Sequence, residues 1–247
     1  MRRPARAGLA VAAVALVLLP VAAAAQEAPK NLQVLPSDMS RQQVTAIMRN
    51  FTFALGVRCS TCHVGEEGQP LSTYDFASDD KPMKVKARAM LQMSMAINNQ
   101  YLAELPGRGE PNVRVTCVTC HRGVRRPEPI EDMVGRTLEA EGLEAAVRTY
   151  RELRERHYGG FAYDFTDRPL SALAETLAES NPEASRALLE LNLEFHPTSG
   201  MSLFGLARSY DAAGDTARAI EFYRKVIEVQ PDNPLAQRRL RELGGGA

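Results

Sequence analysis

The chain has 247 residues, with 30 Lys and Arg against 30 Asp and Glu, 45% hydrophobic residues and no tryptophan. Balanced charge speaks against a nucleic-acid-binding surface, and the length suits two modest domains.

Arg2, Arg3 and Arg6 precede an apolar run from Leu9 to Leu19, and Ala23, Ala24 and Ala25 form a small-residue cleavage site before Gln26. This pattern predicts a secretory signal peptide over residues 1–25. The run falls short of the about 20 residues that a membrane span needs, so the mature chain is expected to carry no membrane anchor. Losing the three arginines of the signal leaves 27 basic against 30 acidic side chains. The expected location is the periplasm.

Residues 26–128 are expected to form the first domain. After an extended arm to Pro36, Ser40 and Gln43 form a capping box that opens a helix, and Gly56 is placed to end it. Val44, Ile47, Met48, Phe51 and Leu55 recur at helical spacing, so Met48 lies on the buried stripe.

Next comes a five-residue unit, Cys59-Ser60-Thr61-Cys62-His63, which returns as Cys117-Val118-Thr119-Cys120-His121 and holds all four cysteines. On a helical turn, two thiols separated by two residues project from nearly the same side. They can form thioethers with the two vinyl groups of one haem, and the histidine that follows can meet the iron. Two units predict two covalently held haem c groups, with His63 and His121 as iron ligands. A structural zinc or two disulfides also use paired cysteines. A zinc ribbon, however, separates its pairs by about 15–20 residues, whereas 54 lie between Cys62 and Cys117. Neither alternative explains a histidine after both pairs in a chain that has four histidines.

A turn at residues 56–58 would fold Met48 back over the first haem, and its thioether suits haem iron, against the plainer role of filling a core gap. Residues 64–81 read as an irregular loop with Tyr74 and Phe76 available to pack on the porphyrin edge. A long helix is expected from Pro82 to Leu105, with Gly107 past its end. It carries Met83, Met90, Met93 and Met95. At about 100° per residue, Met90 and Met93 share a face while Met95 points elsewhere. Residues 83, 87, 90, 94, 97 and 101 form one stripe centred on Met90, which makes Met90 the candidate ligand of the second iron, Met93 the runner-up, and core packing the ordinary alternative.

These stretches together resemble the photosynthetic reaction-centre cytochrome c subunit family. The resemblance is carried by Met48 through His63, by Ala87-Arg-Ala-Met90-Leu-Gln-Met93 through Asn98, and by Val115 through Gly123, and it covers about residues 33–127. It implies haems held by a methionine-bearing helix, a turn and an attachment helix, with Met48 and Met90 at the positions of axial methionines. Members that serve reaction centres carry four haems in two pairs and pass electrons to oxidised chlorophyll. This chain has cysteines for one pair, which leaves the photosynthetic role open.

Pro127-Glu128-Pro129 reads as a linker, and residues 129–247 as a second, cysteine-free helical domain. Leu206 and Tyr210, Gly214, Ala219 and Phe222, and Pro231 resemble one tetratricopeptide repeat: first helix, turn, second helix and end. Pro197 stands one 34-residue period before Pro231. Leu170 to Pro197 reads as a divergent copy, Glu144 to Tyr150 as the second helix of a partial one, and Leu235 to Leu243 as a capping helix. So short an array is expected to lean on the first domain. His157 and His196 are placed near helix ends and given no ligand role.

The fold expected is all-α: a multihaem cytochrome domain of helix, turn and attachment-helix units, then a tetratricopeptide-like helical domain. The function expected is single-electron transfer between a redox protein donor and acceptor, by a chain that is not an enzyme. Two other readings are a peroxidase-like enzyme or haem sensor with one open iron, and a scaffold whose repeat domain recruits a protein partner. Association with a membrane complex is compatible with all three.

Overall fold

The computed structural model describes residues 28–107 and 113–244. The expected signal peptide and its cleavage point at Ala25 lie outside the described residues. Among these, ten α-helices form the architecture, and the only extended pairing is an isolated bridge between Val64 and Asp75. No helix among them is long and apolar enough to cross a membrane.

The first helix, α1 (Arg41–Leu55), starts and stops as its sequence dictates. Ser40 and Gln43 close a reciprocal capping box, and Gly56 adopts the left-handed conformation at φ 61°. Val44, Ile47, Met48, Phe51 and Leu55 are all half-buried while Thr45, Ala46, Arg49 and Asn50 are exposed, so the expected stripe is present. The loop that follows contains a short 3₁₀ turn at Leu71–Thr73. The helix α2 (Pro82–Ala96) is shorter than expected and passes into a π turn over Ile97–Tyr101. The helix α3 (Cys117–His121) is a single capped turn.

From residue 130 the chain forms three antiparallel hairpins and a final helix. These are α4 (Ile130–Glu141) with α5 (Leu143–His157), α6 (Arg168–Leu177) with α7 (Pro182–Phe195), α8 (Gly200–Ala212) with α9 (Thr216–Val229), and α10 (Pro234–Glu242). Asn181, Ser199, Asp215 and Asn233 each cap a helix N-terminus by accepting a backbone N–H. Gly214 makes the turn between α8 and α9 at φ 75°. The unit expected to be partial is therefore a complete hairpin.

The two parts are filled differently. One continuous core runs through α4 to α10, including Val134, Tyr150, Leu170, Leu188, Leu206 and Val226. The apolar faces of the array are buried against one another. Among the described residues before Pro129, Ala54 is the one buried apolar side chain, and Lys84 the one buried polar one. Phe53, Leu71, Val85, Tyr101 and Leu105 are exposed there.

Candidate haem-attachment site

The two attachment units differ in local geometry. Cys59–Thr61 is a 3₁₀ turn in which the N–H groups of Cys62 and His63 both donate to the carbonyl of Cys59, at 3.2 and 2.9 Å. In the second unit, Thr116 and Thr119 close a capping box around the α3 turn. Both conformations put the paired thiols on one side of a helical turn. All four cysteines are free thiols. Among the described residues no three His, Cys, Asp or Glu side chains come together as a metal-holding group. Burial pushes the Cys62 thiol up, with Cys59 adding to the shift and Lys81 opposing it. Burial likewise raises Cys117.

The imidazoles are prepared in two ways. At His121, Nδ1 lies 3.1 Å from the Val124 carbonyl. A ring nitrogen that donates to a backbone carbonyl fixes the tautomer and leaves Nε2 for a metal. At His63, Nδ1 is buried and makes no well-formed hydrogen bond. The Phe76 ring meets His63 edge to face at 4.9 Å and stacks on Tyr74 at 5.7 Å. These aromatics thus pack around the imidazole itself. Burial pushes the His63 pKa down, and the positive charges of Lys84 and Arg88 act in the same direction. The neutral imidazole so favoured is the form that ligates iron.

The methionine helices are seated by contacts the sequence does not announce. α1 packs on α3, with the Gly123 N–H donating to the Ala54 carbonyl at 2.9 Å. α2 is tied to both attachment segments. Lys81 Nζ donates to the Ser60 carbonyl at 2.7 Å at one end. At the other, the Asn98 side chain donates to the Val115 carbonyl at 2.7 Å and accepts the Val115 N–H at 2.9 Å.

This seating turns Lys84, Ala87, Arg88, Leu91, Ser94 and Asn98 inward, instead of a stripe centred on Met90. Met90, Met93 and Met95 are 44%, 47% and 45% exposed, so burial does not separate them, and Tyr101 of the expected stripe is also exposed. Met48 is half-buried on the inner stripe of α1. Two soft thioether-bearing helices, four thiols on helical turns, two imidazoles with a nitrogen to spare and unburied apolar faces are a donor set that fits covalent haem.

The pattern of the family described as photosynthetic reaction centre cytochrome C subunit matches residues 10–175. The chain belongs to that family. A tetratricopeptide repeat pattern matches residues 201–233, which are α8, α9 and the turn after them. Cytochrome c-554 of Chloroflexus aurantiacus is 36% identical over 91 residues, 37% of this chain and 20% of its own length. The photosynthetic reaction center cytochrome c subunit of Rubrivivax gelatinosus is 36% identical over 72 residues, 29% of this chain and 16% of that protein. That of Thermochromatium tepidum is 35% identical over 101 residues, 40% of this chain and 22% of that protein. The aligned stretches thus span about a fifth of these relatives. The family is one of electron-transferring, haem-carrying cytochromes c, and the family match runs past the expected linker into α6.

The remaining histidines have structural settings. His196 places Nε2 2.9 Å from the Phe165 carbonyl, and His157 packs edge to face on Tyr163. Lys84, Arg88, Asn98 and the Ala54–Gly123 bond escaped the sequence reading. For Asn98 the hint was its place at the end of the resemblance, whereas a lysine on an amphipathic helix gives no signal of burial.

Proposed function

We propose that the chain is a periplasmic dihaem cytochrome c that moves single electrons between a protein donor and a protein acceptor. Residues 26–128 form the haem domain, and residues 129–247 form a repeat domain that offers a surface to a protein partner. Cys59 and Cys62 tether one haem, whose iron takes His63 and Met48. Cys117 and Cys120 tether the other, whose iron takes His121 and Met90. When bound, the haems supply a one-electron ferric–ferrous couple, and a His/Met ligand set raises its potential relative to bis-histidine haem.

The observation that carries this reading is the repeated unit in which each imidazole is oriented differently to the same end. His121 is held through Nδ1 by Val124, and His63 is wedged against Phe76 with its charged form disfavoured. With His63 and Met48 on one iron and His121 and Met90 on the other, the protein would leave no open position for a substrate, which suits electron transfer without bond-making.

The test is attachment of haem to single-unit variants matured in a periplasm. C59S/C62S and C117S/C120S should each retain one covalent haem per chain, and the four-fold variant none. Retention of both haems in either double variant would contradict the assignment.

A further inference from the structure

Lys81, which precedes α2, and Lys84 and Arg88 of α2 are bound to the loop around the first attachment unit and to the segment before α1. Lys81 Nζ donates to the Ser60 carbonyl. Lys84 is 8% exposed, and its Nζ donates to the carbonyls of Phe76, Ala77 and Ser78 at 3.0, 3.0 and 2.7 Å. It also lies 3.1 Å from Asp79 Oδ1, the oxygen that Arg88 Nη1 meets at 2.9 Å. Arg88 Nη2 donates to the Asn31 carbonyl at 3.1 Å.

A lysine is taken out of water only when its charge is matched by acceptors. These acceptors satisfy all three ammonium protons, so the charge is kept in place. Asp79 offsets one of the two charges it touches. Of the other acids in this loop, Asp75 accepts the N–H groups of Ala77 and Ser78 at 2.9 Å each, and Glu67 pairs with Arg58. The turn that Lys84 holds is the one that carries Phe76 against the His63 ring. Lys84 is thus one residue removed from that imidazole, because its Nζ donates to the carbonyl of Phe76, whose ring meets it.

We propose that Lys84 and Arg88 raise the reduction potential of the haem tethered by Cys59 and Cys62, and so set which of the two irons holds the electron. The inference rests on His63 being an iron ligand. One electron from a redox protein turns ferric iron into ferrous, which removes one positive charge from the site. A fixed positive charge in a partly desolvated position makes that gain of an electron more favourable. Asp79 acts as a positioning residue, holding both cations on the inner face of α2.

The experiment is a spectroelectrochemical titration of the full, haem-loaded chain as wild type, K84M, R88Q and K84R. K84M removes charge and side-chain hydrogen bonds, R88Q removes charge at a second position, and K84R keeps the charge. K84M and R88Q should each lower one of the two midpoints. The expected change is about tenfold in the ferrous-to-ferric ratio at fixed potential, equivalent to about 59 mV for one electron. The second midpoint and the low-spin spectrum should not move, and K84R should match wild type.

Unchanged midpoints in both K84M and R88Q, or equal shifts of both haems, would overturn the inference, as would a K84R shift as large as that of K84M. If K84M fails to load haem, R88Q decides. Failure of the underlying reading shows elsewhere: H63A would then leave both irons low-spin with unchanged spectra.

Discussion

The backbone N–H of Gly123 donates to the carbonyl of Ala54 at 2.9 Å, so the end of the helix that carries Met48 is joined to the turn after His121. Gly56 completes the contact. A Cβ there would overlap the carbonyl oxygen of Gly123, and φ is 61°. The left-handed conformation alone costs a side-chain-bearing residue about 1–2 kcal/mol, and the overlap with backbone cannot be relieved by a rotamer change. Gly56→Ala should therefore lower the melting temperature of the haem-loaded protein clearly more than Gly68→Ala. Gly68 has φ 88° but open space around it. Equal melting of the two variants would show that the close approach does not matter.

Each axial methionine should give its own signature. Met48→Ala and Met90→Ala should each halve the weak red absorption of sulfur bound to ferric iron, and each should open one ferrous iron to carbon monoxide. Met93→Ala should do neither. Loss of the band in Met93→Ala, with Met90→Ala unaffected, would move the ligand one turn along α2.

Folding of the two parts should separate. The core from Ile130 to Leu240 is continuous, whereas among the described residues of the first part Ala54 is the one buried apolar side chain. Burying apolar area is the main driving force of folding. A fragment of residues 129–247 should thus show helical circular dichroism and a cooperative thermal transition without haem. A fragment of residues 26–128 should do so only after haem attachment. A cooperative transition in haem-free 26–128 would contradict this.

Acid should weaken the repeat domain through one carboxylate. The Arg239 guanidinium beside Asp211, at 2.6 and 2.8 Å, holds that carboxyl below its usual range. The folded state then binds the proton less tightly than the unfolded one. The stabilisation is complete above the unfolded value of about 4 and is lost as pH falls through the depressed folded value. Because Arg239 is partly exposed, Asp211→Asn should cost about 1 kcal/mol at neutral pH, with the difference shrinking below about pH 4. At the alkaline end, burial pushes the Tyr223 hydroxyl up to about 12, with Asp211 adding to the shift. Stability should be held below its unfolded pKa of about 10 and fall as pH rises through the folded value. Denaturant midpoints of both chains across pH would check the two signs.

Much of this was written locally in the chain. Ser40, Gln43 and Gly56 specify the bounds of α1 by capping chemistry, and Gly214 with its flanking apolar positions specifies the α8–α9 hairpin. Such signals need only neighbours in sequence. The seating of α2 was not legible, because Lys84, Arg88 and Asn98 choose its inner face through bonds to backbone far along the chain, at Phe76, Asn31 and Val115. Of the expected stripe, Met83, Ala87, Ser94 and Ile97 are half-buried, while Met90 and Tyr101 are exposed. The first hairpin was missed in part because Gly142 closes it with almost no loop between α4 and α5.

The central claim is two closed haem irons on one chain. Its most direct test is the optical spectrum of the periplasm-matured protein, oxidised and reduced, with the covalent haem count per chain. Two haems are expected, low-spin in both states, with the weak red band of sulfur-bound ferric iron. A single haem, or a high-spin iron that takes up peroxide or carbon monoxide in the unaltered protein, would contradict it.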